Sequence, residues 1–578
     1  MRFALCAALL TIASVPGALA AAGGSQLLLG NIHYGYEPPA IAGPHRLVMV
    51  AGMGNDHMRV DTSSAEAQRW FDYALTLSRA FEHADAKLAF RKAAALDPAC
   101  SLCIWGEAYS RGPTINYLVD RADSAAALKL ALEARRVAGP HLAAEERRLE
   151  SAMIDRYRHP GDNGSGDLRY ARDLDAILHD DPGNLELEIF DAEAWLVMEF
   201  HNDRSGLAPA VSRLTPLVHA HPDYTGLVHF YIHAAEDAGE PQLAEAYAAR
   251  LAELCPNASH LVHMPSHTYY RVGRYEDAAL ANVAALKADL SYARETHSPT
   301  PLSRLMYHFH DIQFGLAAAL LSGDRHIALR LIDQFNRDFP DPAAYDNHAE
   351  MTAGVVYAGF GRLAAPGDVL SAPQAPSSKP FLVAMRHYAR GEAFARRGNA
   401  AAVRAEADRL GSFRQSAAEA SWGNMFSTTV RIANLVLIGR ADRLAGNPDA
   451  AVTVFREAAD LQDRSFGQGG DPPRWWYPVR RSLAAALLAR GNAAAAEREA
   501  SAVLESWKRD PVTLAIRSRA EESRHEPRAS SDRVAAQQGW FGDPKWLDDC
   551  GNNGPVMPGP GAAELKRNPK SPPSSRSL

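Results

Sequence analysis

His229 with His233, and His263 with His267, form two i, i+4 pairs offset member for member by 34 residues. On a helix, i and i+4 side chains lie on one face, so each pair projects two imidazoles in one direction. If the two helices are equivalent elements of neighbouring repeats, the four rings converge, and clustered neutral nitrogen donors are what a transition metal needs. Copper, iron or zinc suits an all-imidazole set better than magnesium or calcium, which prefer oxygen. Copper or iron would open oxidative chemistry, and zinc with a free coordination position would suit hydrolysis.

The elements that would position these rings are legible upstream. Trp70, Ala74, Ala86, Phe90, Ala93 and Pro98 fall at positions 4, 8, 20, 24, 27 and 32 of the 34-residue tetratricopeptide helix–turn–helix repeat. Small residues at 8 and 20 let the two helices approach, Trp70 and Phe90 fill the space between them, and Pro98 stops the second helix. A turn glycine at position 15 and a small residue at 20 recur at Gly239 and Ala244, Gly273 and Ala278, Gly323 and Ala328, Gly446 and Ala451, and Gly491 and Ala496.

In that frame His229, His233 and Glu236 occupy positions 5, 9 and 12 of a repeat starting at Thr225; His260, His263, His267 and Tyr270 occupy 2, 5, 9 and 12 of one starting at Ser259. These positions line the concave groove of such arrays. Eight groove positions hold five histidines, where 22 His in 578 residues would put about 0.3 there by chance. The next repeat adds His310 at position 2 and Gln313 at 5, and turns His308 elsewhere. His229, His233, His263 and His267 are the principal metal-ligand candidates. His310 or His260 is a fifth, each taken singly reading first as a hydrogen-bonding or stacking groove residue, and Glu236 is an outer partner or a general base. Pro265 either kinks the first helix of its repeat or begins a helix after a non-helical 260–264 segment.

Composition narrows the classes. With 61 Lys plus Arg against 68 Asp plus Glu, a net charge of −7 and no long single-sign run, the chain has no electrostatic footprint for nucleic acid. Met1-Arg2, the apolar run Phe3 to Val15 and Ala18-Leu19-Ala20 read as a cleaved secretory signal peptide, which predicts a periplasmic or secreted protein without a membrane anchor. Cys100 and Cys103 could then form a disulfide, act as a redox pair or ligate a metal; Cys255 and Cys550 are the other cysteines of the mature chain. The expected organisation is a signal peptide at 1–20, an N-terminal extension at 21–64, a repeat array with the histidine-rich site at 65–363, a loop or hinge at 364–380, a second array at 381–550 and a disordered Gly-, Pro- and Ser-rich tail at 551–578.

Several blocks resemble a family of exported bacterial tetratricopeptide-repeat proteins. They are Phe90-Arg91 through Asp97-Pro98 with Cys100-Ser101-Leu102-Cys103-Ile104-Trp105-Gly106-Glu107-Ala108; Gly112-Pro113-Thr114-Ile115-Asn116; His229 through Glu236; His260-Leu261-Val262-His263-Met264-Pro265-Ser266-His267; and Pro472-Pro473 through Tyr477-Pro478-Val479-Arg480. The resemblance implies the all-α solenoid fold and supplies no reaction. Where the family pattern looks like His-Asn-x-His-Phe, this chain has His310-Asp311-Ile312-Gln313-Phe314, one potential nitrogen ligand fewer.

The sequence thus predicts an all-α superhelix of antiparallel helix pairs with a polyhistidine transition-metal centre in its concave face, in a chain that is a candidate metal-dependent enzyme. The alternative is a non-catalytic scaffold that binds a peptide or protein in the groove, for which Trp105, Trp475, Trp476 and Tyr477 would be aromatic contacts, though at these spacings most of them read as core between helices.

Overall fold

Helix after helix, the chain packs each element against its successor in sequence, as a solenoid does. The computed structural model describes residues 46–548 apart from 140–141, 202–206, 299, 303–304, 306, 467–469 and 471. The expected signal peptide, Cys550 and the tail lie outside the described residues, among which there is no strand. No helix among the described residues is long and apolar enough to cross a membrane.

The first repeat shows how the sequence sets the geometry. Ser64 caps the helix Ala65–Arg79 by accepting from the Ala67 amide. This helix packs on His83–Leu96, with Ala74 and Ala86 fully buried at the crossing. Phe71 meets Phe90 edge to face at 5.3 Å between ring centroids, and Phe90 fills the notch left by Gly106, where a Cβ would fall 2.2 Å from its ring. The five frame glycines, Gly239, Gly273, Gly323, Gly446 and Gly491, all have positive φ, between 76° and 85°, the left-handed turn that ends a helix and admits glycine most readily.

Pro265 is a break between two helical pieces, Ser259–His263 and Pro265–Val272. Met264 between them keeps helical dihedrals, so the element is one bent helix, which is the kink reading of this proline. The segment 364–380 holds a short helix, Pro366–Ser371. The helices flanking it, Asn347–Leu363 and Pro380–Arg396, pack on one another. Cys100 and Cys103 form a disulfide, both fully buried, and Cys255 is a buried free thiol.

Two long-range closures shape the interior. The segment before the first helix runs back to the Thr225–Asp237 helix, where the Asn55 amide donates to Thr225 Oγ1 at 3.1 Å. Near the other end the Tyr275 hydroxyl donates to the Lys508 carbonyl at 3.0 Å, and the Phe541 amide to the Ser322 carbonyl at 2.8 Å. Trp105, Trp475, Trp476 and Tyr477 are each no more than 2 % exposed. They are core between helices, as their spacing favours, and not groove contacts.

Gly273 concentrates both constraints, a φ of +83° and a space in which a Cβ would lie 2.0 Å from the Lys508 carbonyl oxygen. Gly273→Ala is expected to destabilise the protein by about 2 kcal/mol or more, read as a lower denaturation midpoint at unchanged slope. An unchanged midpoint would mean that this closure does not hold.

Candidate metal centre

Three successive repeats deliver the imidazoles. His229 and His233 stand on Thr225–Asp237, His260 and His263 on Ser259–His263, His267 on Pro265–Val272, and His310 on His308–Ser322. All six are buried. The helices are buried nearly all round, every residue from Thr225 to Ala235 being inaccessible, so the concave face is interior to the protein and not an open groove.

The rings fall into two groups of three. In His229, His233 and His260, and again in His263, His267 and His310, the candidate ligand atoms all lie within 4.8 Å of one another. In the first group His229 Nε2 is 3.0 Å from His260 Nε2 and 3.1 Å from His233 Nε2. In the second, the Nε2 atoms of His263 and His267 are 2.8 Å apart, and the His310 ring lies 4.8 Å from that of His263. The groups adjoin, with His233 and His267 at 5.4 Å and His260 and His263 at 5.9 Å between centroids. The sequence frame groups His229, His233, His263 and His267 as one set with a fifth ligand in reserve. The structure distributes those four equally and gives His260 and His310 equal places beside them.

The opposite edges of the rings decide what the Nε2 atoms can be. His229 Nδ1 lies 2.6 Å from the carbonyl oxygen of Arg79, which can only accept, so Nδ1 carries the hydrogen. His263 Nδ1 lies 2.6 Å from Asn282 Oδ1 and 3.1 Å from Asp311 Oδ1; Asn282 is oriented by its own Nδ2–H, which donates to the Ala278 carbonyl. His267 Nδ1 lies 2.5 Å from Glu236 Oε2. With Nδ1 as the donor, a neutral ring presents a bare lone pair at Nε2, and at His263 and His267 two such lone pairs face each other. A cation between them relieves that repulsion. An oxygen acceptor behind each ligating imidazole is the usual support of a metal site.

Protonation is the other way to relieve it: the Glu236 carboxylate favours it at His267, whereas the surroundings of the other five rings oppose it. Burial, with smaller contributions from neighbouring rings, lowers the pKa of His229 and His310 to about 3 and those of His233, His260 and His263 well below the usual value. Burial alone would raise the carboxyl of Glu236, but the ring of His267 and the guanidinium of Arg271 hold it well below the ordinary carboxylate range. Its other oxygen accepts from Arg271 Nε at 2.7 Å. Glu236 therefore has the geometry of a partner that orients His267, and neither oxygen is free in the manner of a general base.

Outer groups missed at the sequence level complete the support. Arg79, fully buried, is paired with Asp56 at 3.0 Å and Glu186 at 2.9 Å, and so fixes the carbonyl that holds His229. Phe81 carries a φ of +61°, a conformation costing a non-glycine residue about 1–3 kcal/mol, and lays its ring against His229, His233 and His260 at 4.6, 6.2 and 4.8 Å. Tyr307 covers the other side of His260 at 4.4 Å, its hydroxyl accepting from Asn116 Nδ2 at 3.0 Å. His83 lies behind Phe81 at 5.5 Å. Burial lowers its pKa to about 3, and neither of its ring nitrogens has a hydrogen-bond partner. The block containing Asn116 was the one visible signal for this side of the site. Gln313, where a further ligand was lacking, accepts from the Thr352 hydroxyl at 3.0 Å and leaves the second triad complete without it.

His308, two residues before His310, points away from the centre as its repeat position requires. It bridges Asp289 at 2.7 Å and Asp338 at 2.8 Å. Burial disfavours its charge, but these carboxylates outweigh it and push its pKa up to about 10. The imidazolium ties the start of the His310 helix to both of its neighbours.

No protein-family profile and no curated protein sequence matches this chain. Among solved structures it is similar to the P58(IPK) TPR domain, at 13% identity over 74% of this chain and 99% of that chain with a TM-score of 0.19. It is also similar to yeast Tom70, at 11% identity over 82% and 92% with a TM-score of 0.27, and to a human IFIT1 dimer with m7Gppp-AAAA, at 14% identity over 83% and 91% with a TM-score of 0.29. The chain is an all-α tetratricopeptide-type solenoid, a class defined by its own repeated helix pairs and turn glycines.

Replacing His308 removes the cation between two carboxylates. His308→Phe is expected to cost about 3–5 kcal/mol, measured by chemical denaturation, and a loss below about 1 kcal/mol would place this bridge among weak surface pairs.

Proposed function

We propose that this solenoid is exported and is a metalloprotein whose two histidine triads each hold one transition-metal ion, and that the ion is copper. The observation that carries the reading is the pair of facing Nε2 atoms, 2.8 Å apart at His263 and His267, on rings whose Nδ1 edges are committed to Glu236, Asn282 and Asp311. The first triad repeats the pattern with the Arg79 carbonyl behind His229.

The donor set favours copper over iron and zinc on charge. Six neutral imidazoles bring no negative charge, and the carboxylates in contact with them are Glu236, shared with Arg271, and Asp311. A buried centre so short of anions suits a cation of low charge, and monovalent copper accepts three neutral nitrogen donors. Copper supplies one-electron chemistry when bound, which makes an oxidative reaction the better of the two considered. The chain's own part is to exclude water, hold the rings of His229, His263 and His267 with Nδ1 turned to an oxygen, and set two sites side by side. The scaffold reading keeps the fold in its favour, but the aromatic contacts assigned to it are core.

Elemental analysis of protein purified from its native compartment should give about two copper ions per chain, retained on dialysis. His233→Ala and His267→Ala should each lower the content by about one ion while far-UV circular dichroism stays helical. Full occupancy in the double variant, or a folded wild type free of any transition metal, would overturn the proposal.

A further inference from the structure

The first triad has a polar neighbour that the metal reading does not use. His83 begins the helix His83–Leu96 and is 7 % exposed, and both of its ring nitrogens lack a hydrogen-bond partner. A buried imidazole with one donor and one acceptor unsatisfied is costly unless something occupies the space beside it. Its surroundings are rings. Phe81 stacks on one side at 5.5 Å, and Tyr117 stands edge-on at 5.8 Å, with an interplanar angle of 89°. Tyr117, Asn116 and Tyr307 are only half-buried, so this is the side on which the rings around the first triad approach solvent.

We propose that His83, Phe81 and Tyr117 form a binding subsite for a phenol, beside the first histidine triad. A neutral imidazole can donate a hydrogen bond to a phenolic hydroxyl from one ring nitrogen or accept one from it at the other, and the hydroxyl can serve in either role. The flanking rings suit a planar aromatic body in stacked or edge-to-face contact. An ammonium would instead bring a second cation beside Lys87, whose charge already acts on His83, and a carboxylate would have to be stripped of water among these rings. Phe81 is the partition, in contact with His83 on one side and with His229, His233 and His260 on the other. The inference deepens the metal-centre reading and rests on it for any chemistry done on the bound phenol, but not for binding itself.

The test is calorimetric titration of phenol into the full mature chain, with and without metal, alongside cyclohexanol and benzoate. Saturable binding of one phenol is expected, with both comparison compounds weaker by about ten-fold or more. His83→Phe should weaken phenol by at least about ten-fold, and His83→Gln, which keeps a donor and an acceptor, should restore most of it. Metal content should be unchanged in both variants. No saturable phenol binding by the wild type, equal binding by His83→Phe, or loss of metal on His83 substitution would overturn the subsite. If His83→Phe does not fold, NMR of nitrogen-labelled histidine in the wild type decides: a His83 ring signal, assigned by its absence from His83→Gln, should shift on adding phenol, and an unmoved signal overturns it. Phenol binding by a metal-free wild type would uphold the subsite and remove the metal centre.

Discussion

Everything around the centre depends on one constraint: ring nitrogens that cannot all be satisfied by one another have been brought together where water does not reach. An imidazole has a donor edge and an acceptor edge, and here the donor edges of His229, His263 and His267 are spent on oxygens behind them. What remains at the centre is a set of Nε2 atoms that cannot all satisfy one another. A chain selected only for stability would fill such a space with aliphatic side chains, since an unmatched buried polar group costs about 1–3 kcal/mol. The arrangement has a physical rationale if a cation sits among the rings.

Holding that arrangement takes parts from far along the chain. Asp56, from the segment ahead of the first helix, and Glu186 pin the Arg79 guanidinium, and the Arg79 carbonyl pins His229. Asn282 and Asp311, from the two helices next in the chain, fix His263, while Glu236 reaches from the preceding repeat to His267. On the far side, Arg271 reaches the Gly470 carbonyl at 3.2 Å, which ties the Glu236 carboxylate indirectly to the C-terminal helices. These three ligands are thus each held by an element other than their own.

The solenoid explains why such a site is available and not what it does. Stacked helix pairs present the same positions of successive first helices side by side, so side chains 34 residues apart in sequence become neighbours. That geometry serves a groove for a peptide as readily as a cluster of ligands. Here Phe81, Tyr307 and Phe314 pack on the histidine rings of that face. Function lies in the side chains placed on the repeat, not in the repeat itself.

The repeat signature around Trp70, Phe90 and Pro98, the turn glycines and the helical period of the histidine pairs were readable because each is a local pattern with a fixed spacing. The same spacing put His229, His233, His260, His263, His267 and His310 on one face and turned His308 away, since a helix and its repeat length fix direction without any knowledge of partners. It could not divide six rings into two sets of three. That division depends on the bend at Pro265 and on how far each helix is rotated in its stack, which are products of packing between elements. Nor could it find Arg79, Asn282, Asp311, Phe81 or His83, whose contacts to the centre come from turns and neighbouring helices with no common period. Spacing along the chain determined which side chains could meet, and only the tertiary packing decided which of them do and which edge of each ring is left for a ligand.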